Sequence, residues 1–288
     1  MTQPLVLACA QYSIDFLGNW QAFEHKLDRL LADALAQDAN FVLLPEYFSM
    51  ELASLFDETV YRSLSAQLDA MQSLLPDFIA YFSGRAKQHD LHILAGTIPV
   101  RLDDGRFVNR AHLFRPDGSH DWQDKLQMTR FEKEQWHIGA GDTIKVLDTA
   151  FGKVGVAVCY DSEFPLIVRR QVEAGARLIL VPSCTDTEAG FNRVRIGSQA
   201  RALENQCFVA QSPTIGEAPW SEAVDVNTGR AAIYTPVDYG YPDDGILVQG
   251  ELNRPGWVVA ELDLDALETV RAQGQVFNHE DWNGQHRF

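Results

Sequence analysis

Short apolar runs alternate along this chain with stretches whose apolar residues recur at helical spacing. Pro4–Ser13 reads as a buried first strand. Trp20–Gln37 then places Phe23, Leu27, Leu30, Leu31 and Leu35 at helical intervals, and Phe41–Leu44 is the strand after it. Leu64–Gln88 predicts a second helix, followed by a strand over Leu91–Val100. Phe107–Arg115 alternates as a further strand, and Pro116-Asp117-Gly118 marks a turn before the strand pattern resumes. Val154–Cys159 is an apolar, β-branched run that ends on a thiol. Beyond it come a helix over Leu166–Ala174 with Gly175 at a C-cap position, a strand over Leu178–Val181, a helix over Arg193–Asn205 and a strand over Cys207–Ser212. The last third carries short strand-like runs at Ala231–Thr235, Gly245–Val248 and Trp257–Leu262, then a short helix over Asp263–Ala272 and a polar, aromatic-containing tail. No internal repeat, low-complexity tract or Pro/Gly/Ser-rich linker interrupts the series. The pattern predicts one α/β (α+β) domain with sheets covered by helices.

Composition narrows the function classes. A chain of 288 residues is long enough to bury a substantial core. Its net charge of −16 argues against a nucleic-acid or anionic-membrane partner. Four cysteines, Cys9, Cys159, Cys184 and Cys207, stand far apart with no Cys-x-x-Cys pair, which fits reduced thiols in a cytoplasmic protein and neither a disulfide framework nor a zinc site. The eight histidines show no i, i+4 metal spacing. Leu5–Ala10 is too short for the apolar core of a signal peptide, and no apolar run approaches the roughly 20 residues of a membrane span. Neither a Gly-x-Gly-x-x-Gly nor a P-loop pattern is present.

Three segments carry chemistry. A strand that delivers Cys159 to its end holds a thiol at the rim of a sheet, a good station for a nucleophile, although most free cysteines are inert packing. In Phe41-Val42-Leu43-Leu44-Pro45-Glu46-Tyr47-Phe48, a glutamate follows an apolar strand and a proline, among aromatics. Such a setting raises a carboxyl pKa toward what a general base for a thiol needs; the plainer alternative is a solvated glutamate. The third segment, Asp124–Glu134, is by itself a charged polar loop, but a fixed ammonium there would stabilise negative charge building on a carbonyl oxygen.

Taken in order, these residues resemble the nitrilase superfamily of carbon–nitrogen hydrolases, which is marked by a Glu–Lys–Cys triad in this chain order. The matching positions are Glu46, Lys125 and Cys159. The likeness spans nearly the whole chain and includes Gln11, Gly175-Ala176, Val181-Pro182-Ser183 and Arg201–Asn205. A second glutamate after the lysine, common in the family, is best matched by Glu132, with Glu134 as its neighbouring alternative. The resemblance implies a four-layer α-β-β-α sandwich that associates into dimers or larger homo-oligomers, with the tail (residues 273–288) a candidate contact. Pro45–Phe48 and Pro182–Thr187 look like a little-characterised branch in which some members carry an added N-terminal acetyltransferase-like domain; this chain begins at the hydrolase strand, so no second activity is expected.

The activity implied is hydrolysis of a small-molecule amide through a cysteine thioester, with Glu46 as base, Lys125 and the Tyr160 N–H holding the oxyanion, and Glu132 orienting Lys125 or the substrate nitrogen. No metal or organic cofactor enters. The nitrile-cleaving branch places Trp-Glu after its cysteine, whereas Tyr160-Asp161 stands here, which favours amide over nitrile. N-carbamoyl hydrolysis, acyl transfer, a non-catalytic scaffold on the same fold and a Cys–His protease are the rival readings. Phe48, Trp136, Tyr160, Ser183 and Thr185 are the candidate substrate-binding residues. Arg193 and Arg195 are candidates for a substrate carboxylate or a helix-surface salt bridge, and the stretch holding Trp220, Tyr239 and Tyr241 is a candidate lid.

Overall fold

A computed structural model describes residues 4–287; Met1 to Gln3 and Phe288, the last residue of the tail, lie outside them. Strand β1 (Leu5–Ser13) alternates between two cores. Leu5, Leu7 and Cys9 face one and Ala8, Ala10 and Tyr12 the other, the period-2 arrangement of a strand covered on both faces. Helix α1 (Trp20–Leu35) starts where the Asn19 side chain accepts the Ala22 N–H, and it buries Phe23, Leu27, Leu31 and Ala34. Strand β2 (Phe41–Leu43) repeats the division, with Phe41 and Leu43 in the first core and Val42 in the second.

The single helix expected over Leu64–Gln88 is two. After α2 (Glu58–Tyr61), α3 (Leu64–Met71) stops and α4 (Leu75–His89) begins afresh with Pro76 in its first turn. A proline has no N–H to give and its ring collides with the carbonyl four residues back, so a helix can start at Pro76 but not run through it.

Strands β3 (His92–Arg101), β4 (Phe107–Phe114) and β5 (His120–Asp124) follow, with the short β6 (Ile138–Gly139). The second half supplies β7 (Val146–Thr149), β8 (Gly152–Val156), α5 (Pro165–Glu173), β9 (Leu178–Ser183), α6 (Glu188–Asn205) and β10 (Phe208–Glu217). The chain then adds β11 (Val226–Asn227), β12 (Ala232–Tyr234), β13 (Ile246–Gln249), β14 (Gly256–Leu262), α7 (Ala266–Gln273) and α8 (Asn278–Asp281). Helix α6 begins earlier than Arg193 because the Thr187 side chain caps it at Gly190 N–H.

Two sheets result. One runs β5-β4-β3-β2-β1 with β14 on the far side of β1; the other runs β7-β8-β9-β10 and continues into β12 and β13. Helices α1 and α4 cover the first sheet, α5 and α6 the second, and an apolar core lies between the sheets, giving a four-layer α-β-β-α sandwich.

Strand direction positions the site. β1, β2 and β3 are parallel, as are β8, β9 and β10, and β1 joins β10 in parallel at Tyr12↔Thr214 and Ser13↔Ile215. Strand β4 reverses and β5 reverses again, so β5 runs with β3. The carboxyl ends of β2, β5, β8 and β9 therefore meet at one edge, the usual place for a ligand crevice in a parallel sheet. No helix among the described residues is long and apolar enough to cross a membrane.

Candidate active site

Each of four strands hands one segment to this edge. Just past β2, Tyr47 has φ 56 and turns the chain sharply, so that Glu46 points inward. Two neighbouring strands fix this turn: Thr214 Oγ1 of β10 donates to the Glu46 carbonyl at 2.7 Å, and the Tyr47 N–H donates to Thr97 Oγ1 of β3 at 2.9 Å. Gly96 lies beneath with φ +50, and any Cβ there would run into the Pro45 carbonyl oxygen and the Phe48 ring.

Lys125 follows β5 directly. The segment that looks like a solvated loop in sequence is in fact folded inward, and Lys125 is 1% exposed. Its Nζ donates to Glu46 Oε1 at 2.7 Å and to both oxygens of Glu132, at 2.9 and 2.8 Å. All three N–H bonds of the ammonium are thus engaged by buried carboxylates. Glu132 also accepts from Tyr47 Oη at 2.7 Å and from the Thr129 N–H and Oγ1, each at 2.8 Å. Glu134, its alternative, is exposed and paired with Arg130 at 2.7 Å. Geometry therefore brings Glu132, and not Glu134, to Lys125.

The strand carrying Cys159 pairs only as far as Val156, so the thiol does not end a strand as expected. It sits at an elbow with φ 49, opening a short 3-10 turn over Cys159–Glu163. A non-glycine residue held left-handed is strained, and here the surrounding bonds enforce it. The Asp161 carboxylate accepts the N–H groups of Val158 at 3.2 Å, Gln127 at 2.7 Å and Leu126 at 3.1 Å, clamping the Lys125 segment to the Cys159 elbow. Among the described residues the Tyr160 N–H finds no backbone acceptor.

Electrostatics follow from burial. Glu46 is pushed up to about 7, first by loss of solvent and then by the charge of Glu132, against the pull of Lys125. Burial also works against the charge of Glu132, but Lys125 and the hydrogen bonds from Lys125, Tyr47 and Thr129 outweigh it and hold that carboxyl below its ordinary value. Burial likewise opposes the charge on Lys125, yet its two carboxylate neighbours keep it protonated. The Cys159 thiol is raised well above its ordinary value, by burial first and the Glu46 charge second. A neutral thiol beside a carboxyl that ionises near neutrality requires proton transfer as it attacks, which is the task of a general base.

Glu46, Lys125 and Cys159 open on a cavity of about 690 Å³, with Tyr160, Trp136 and Thr185 in its walls. Phe48 and Ser183 do not line it. The Phe48 ring is wholly buried among Tyr12, Phe23, Phe78 and Phe82, and Ser183 Oγ donates to the Ser212 carbonyl inside the sheet. Arg193 reaches the cavity rim, 3.8 Å from Glu163, while Arg195 turns to Asn192 and Gln199 on its own helix. The expected lid is not one unit. Trp220 packs edge-on against Phe16 and Tyr61, Tyr239 and Tyr241 line a separate hollow with Phe208, and the segment at the cavity mouth is Glu222–Asn227.

Sequence reading missed Asn109, Asp161 and Tyr47. Asp161, a short acid two places past the thiol in an otherwise apolar stretch, was the one with a local signal. Among the described residues no set of three or more His, Cys, Asp or Glu is gathered as a metal would require.

Comparisons agree with this architecture. The profile of the family described as carbon-nitrogen hydrolase matches residues 6–272. The probable hydrolase YhcX of Bacillus subtilis (strain 168) is 33% identical over 95% of this chain, which spans only 52% of that protein. Omega-amidase NIT2-B of Xenopus laevis is 26% identical, with 86% of each chain covered. Among solved structures, a carbon-nitrogen hydrolase from Helicobacter pylori G27 superposes with a TM-score of 0.78 at 18% identity, covering 94% of this chain and 93% of that one, a likeness of fold.

Proposed function

The chain belongs to the carbon–nitrogen hydrolase family, and from that premise we propose that it cleaves the C–N bond of a small-molecule amide through a thioester on Cys159. Glu46 takes the thiol proton as Sγ attacks the carbonyl carbon, and passes it to the departing ammonia or amine. Water, deprotonated by the same carboxylate, then releases the acid and restores the thiol. Lys125 and the Tyr160 N–H hold the oxyanion in both halves of the reaction.

The observation that carries this reading is the shared ammonium: Lys125 Nζ lies 2.7 Å from Glu46 and 2.8 Å from Glu132 at the floor of the cavity that Cys159 lines. The double bond to Glu132 matters mechanistically. Each Glu132 oxygen has another donor, Tyr47 Oη on one and Thr129 on the other, so Lys125 can release one N–H to the oxyanion without stranding a buried acceptor. The omega-amidase relative supports an amide over a nitrile. Apolar Leu166 on α5 and Ile196 and Leu203 on α6, each between 44% and 58% exposed, support association into a homodimer or larger assembly.

The test is intact-mass spectrometry after brief incubation with small amides, ω-amido acids, carbamoyl compounds and nitriles, with Cys159→Ala and Glu46→Gln alongside. An adduct that maps to Cys159 and is absent from Cys159→Ala is the expected result, and its mass names the acyl group. Turnover retained by Cys159→Ala overturns the assignment.

A further inference from the structure

Asn109 lies in the middle of β4, wholly buried, opposite Pro99 of β3. Its backbone carbonyl accepts the Lys125 N–H at 2.9 Å. Its side-chain Nδ2 donates to Glu46 Oε1, also at 2.9 Å. One residue therefore fixes both the backbone that carries the ammonium and the carboxylate of the base. Oε1 of Glu46 receives two donors, Asn109 Nδ2 and Lys125 Nζ, while the Cys159 thiol stands within hydrogen-bonding reach of the same carboxylate and Glu46 borders the cavity.

We infer that Asn109 is a positioning residue that holds Oε1 of Glu46 in place, stabilises its ionised form, and leaves Oε2 as the oxygen that takes the thiol proton. The inference rests on Glu46 acting as the base. A neutral amide donor is suited to this: it favours the carboxylate over the acid without adding a charge that would compete with Lys125 for the oxyanion. The other groups facing Glu46 are Lys125, Glu132 and Cys159, with Tyr47 and Cys184 beyond them. Of these only Lys125 is cationic and the Cys159 thiol carries the proton to be removed, so Asn109 is the neutral donor that stays on the carboxylate throughout. The Asn109 Oδ1 is itself buried without a partner, so the side chain is retained at a cost that packing alone does not explain.

The experiment needs no known substrate. Iodoacetamide alkylates Cys159 as the S–C bond forms, iodide leaves and Glu46 keeps the thiol proton. The rate at Cys159 is followed against pH by peptide-resolved mass spectrometry for the native protein, Glu46→Gln, Asn109→Leu and Asn109→Asp. Removing the donor disfavours the charged carboxylate, so the acidic limb of the profile moves to higher pH, by about one pH unit in Asn109→Leu, with the rate at pH 6 falling about tenfold. Asn109→Asp keeps the shape of the side chain and carries the test if the leucine variant does not fold; it moves the limb the same way, because two carboxyls must then share a proton. A purely structural role would slow alkylation equally at every pH. An unmoved limb in both variants overturns the inference. If Glu46→Gln alkylates with the native profile, the base assignment fails instead.

Discussion

Lys125 and Glu132 meet twice, with Nζ 2.9 Å from Oε1 and 2.8 Å from Oε2. Glu132→Gln keeps the shape and removes the charge, and its two consequences have opposite signs for activity at low pH. The Glu132 charge helps push Glu46 up, so without it the acidic limb of kcat/KM moves to lower pH. Lys125 meanwhile loses its stronger anchor, and misaiming an oxyanion donor lowers kcat by on the order of 10²-fold. A pH profile of the variant shows both; unchanged turnover would remove Glu132 from the machinery.

Activity and stability should run against each other between pH 5 and 8. Glu46, Asp161 and Glu51 are each pushed up to about 7, in every case by burial first. A carboxyl whose folded pKa lies above its unfolded one binds its proton more tightly in the native state. The stability it contributes is full below the unfolded value near 4 and is lost as pH rises through about 7, on the order of 1–3 kcal/mol per group. Glu132 is held low, so its contribution is present above its unfolded pKa and lost only at lower pH. Thermal unfolding is therefore expected at higher temperature at pH 5.5 than at pH 8.5, while kcat/KM falls below about pH 7 as Glu46 takes its proton. Glu51, tied to Lys26 at 2.7 Å, lies outside the cavity. Glu51→Gln should flatten the pH dependence of Tm and leave the acidic limb of activity in place.

Sequence patterning singled out Glu46 and Cys159 as candidates because each follows an apolar run, and such runs become strands whose ends can be counted. It placed Lys125 only through the order of motifs. Its loop is polar, and the burial comes from β5 running parallel to β3, a relation that no local pattern encodes. Phe48 and Ser183 were misplaced for a related reason. Adjacency along a chain says little about direction, and the left-handed Tyr47 turns Phe48 back toward α4 while Glu46 faces the cavity. Asn109 was invisible, since its partner Glu46 is 63 residues earlier and a polar residue in an alternating strand reads as a solvated one. The split of α3 from α4, like Asp161, is legible in the sequence, because Pro76 states it.

Gly96→Ala tests how tightly Glu46 is held. Its φ of +50 already costs an alanine, and the added methyl would meet the Pro45 carbonyl and the Phe48 ring. A loss of about 2–4 kcal/mol is expected from strain plus overpacking, with kcat reduced because Pro45 must shift and carries Glu46 with it. Gly105→Ala is the control: its φ is +87 and no atom lies within 4 Å of the added carbon, so it costs about 1 kcal/mol and no activity. Equal losses of Tm and equal activity in the two variants would show that the contact beneath Pro45 is unimportant.

Asp161 gathers N–H groups from the Lys125 and Cys159 segments, Leu126 and Gln127 on one side and Val158 on the other. In Asp161→Asn one acceptor oxygen becomes an NH2 facing those donors, so the Lys125 segment and the Cys159 elbow are free to separate. Cys159 and Glu46 are less affected, because Glu46 is fixed by Thr214 and Asn109 rather than by Asp161. Amide hydrolysis needs Lys125 and the Tyr160 N–H aligned on one oxygen, whereas alkylation by iodoacetamide builds no oxyanion. Turnover should therefore fall by on the order of 10²-fold, the cost of about 1 Å of misalignment, while the alkylation rate at Cys159 stays within a few-fold of native. Parallel loss of both rates would mean that Asp161 holds the thiol itself, and loss of neither would mean that the two segments are held together without it.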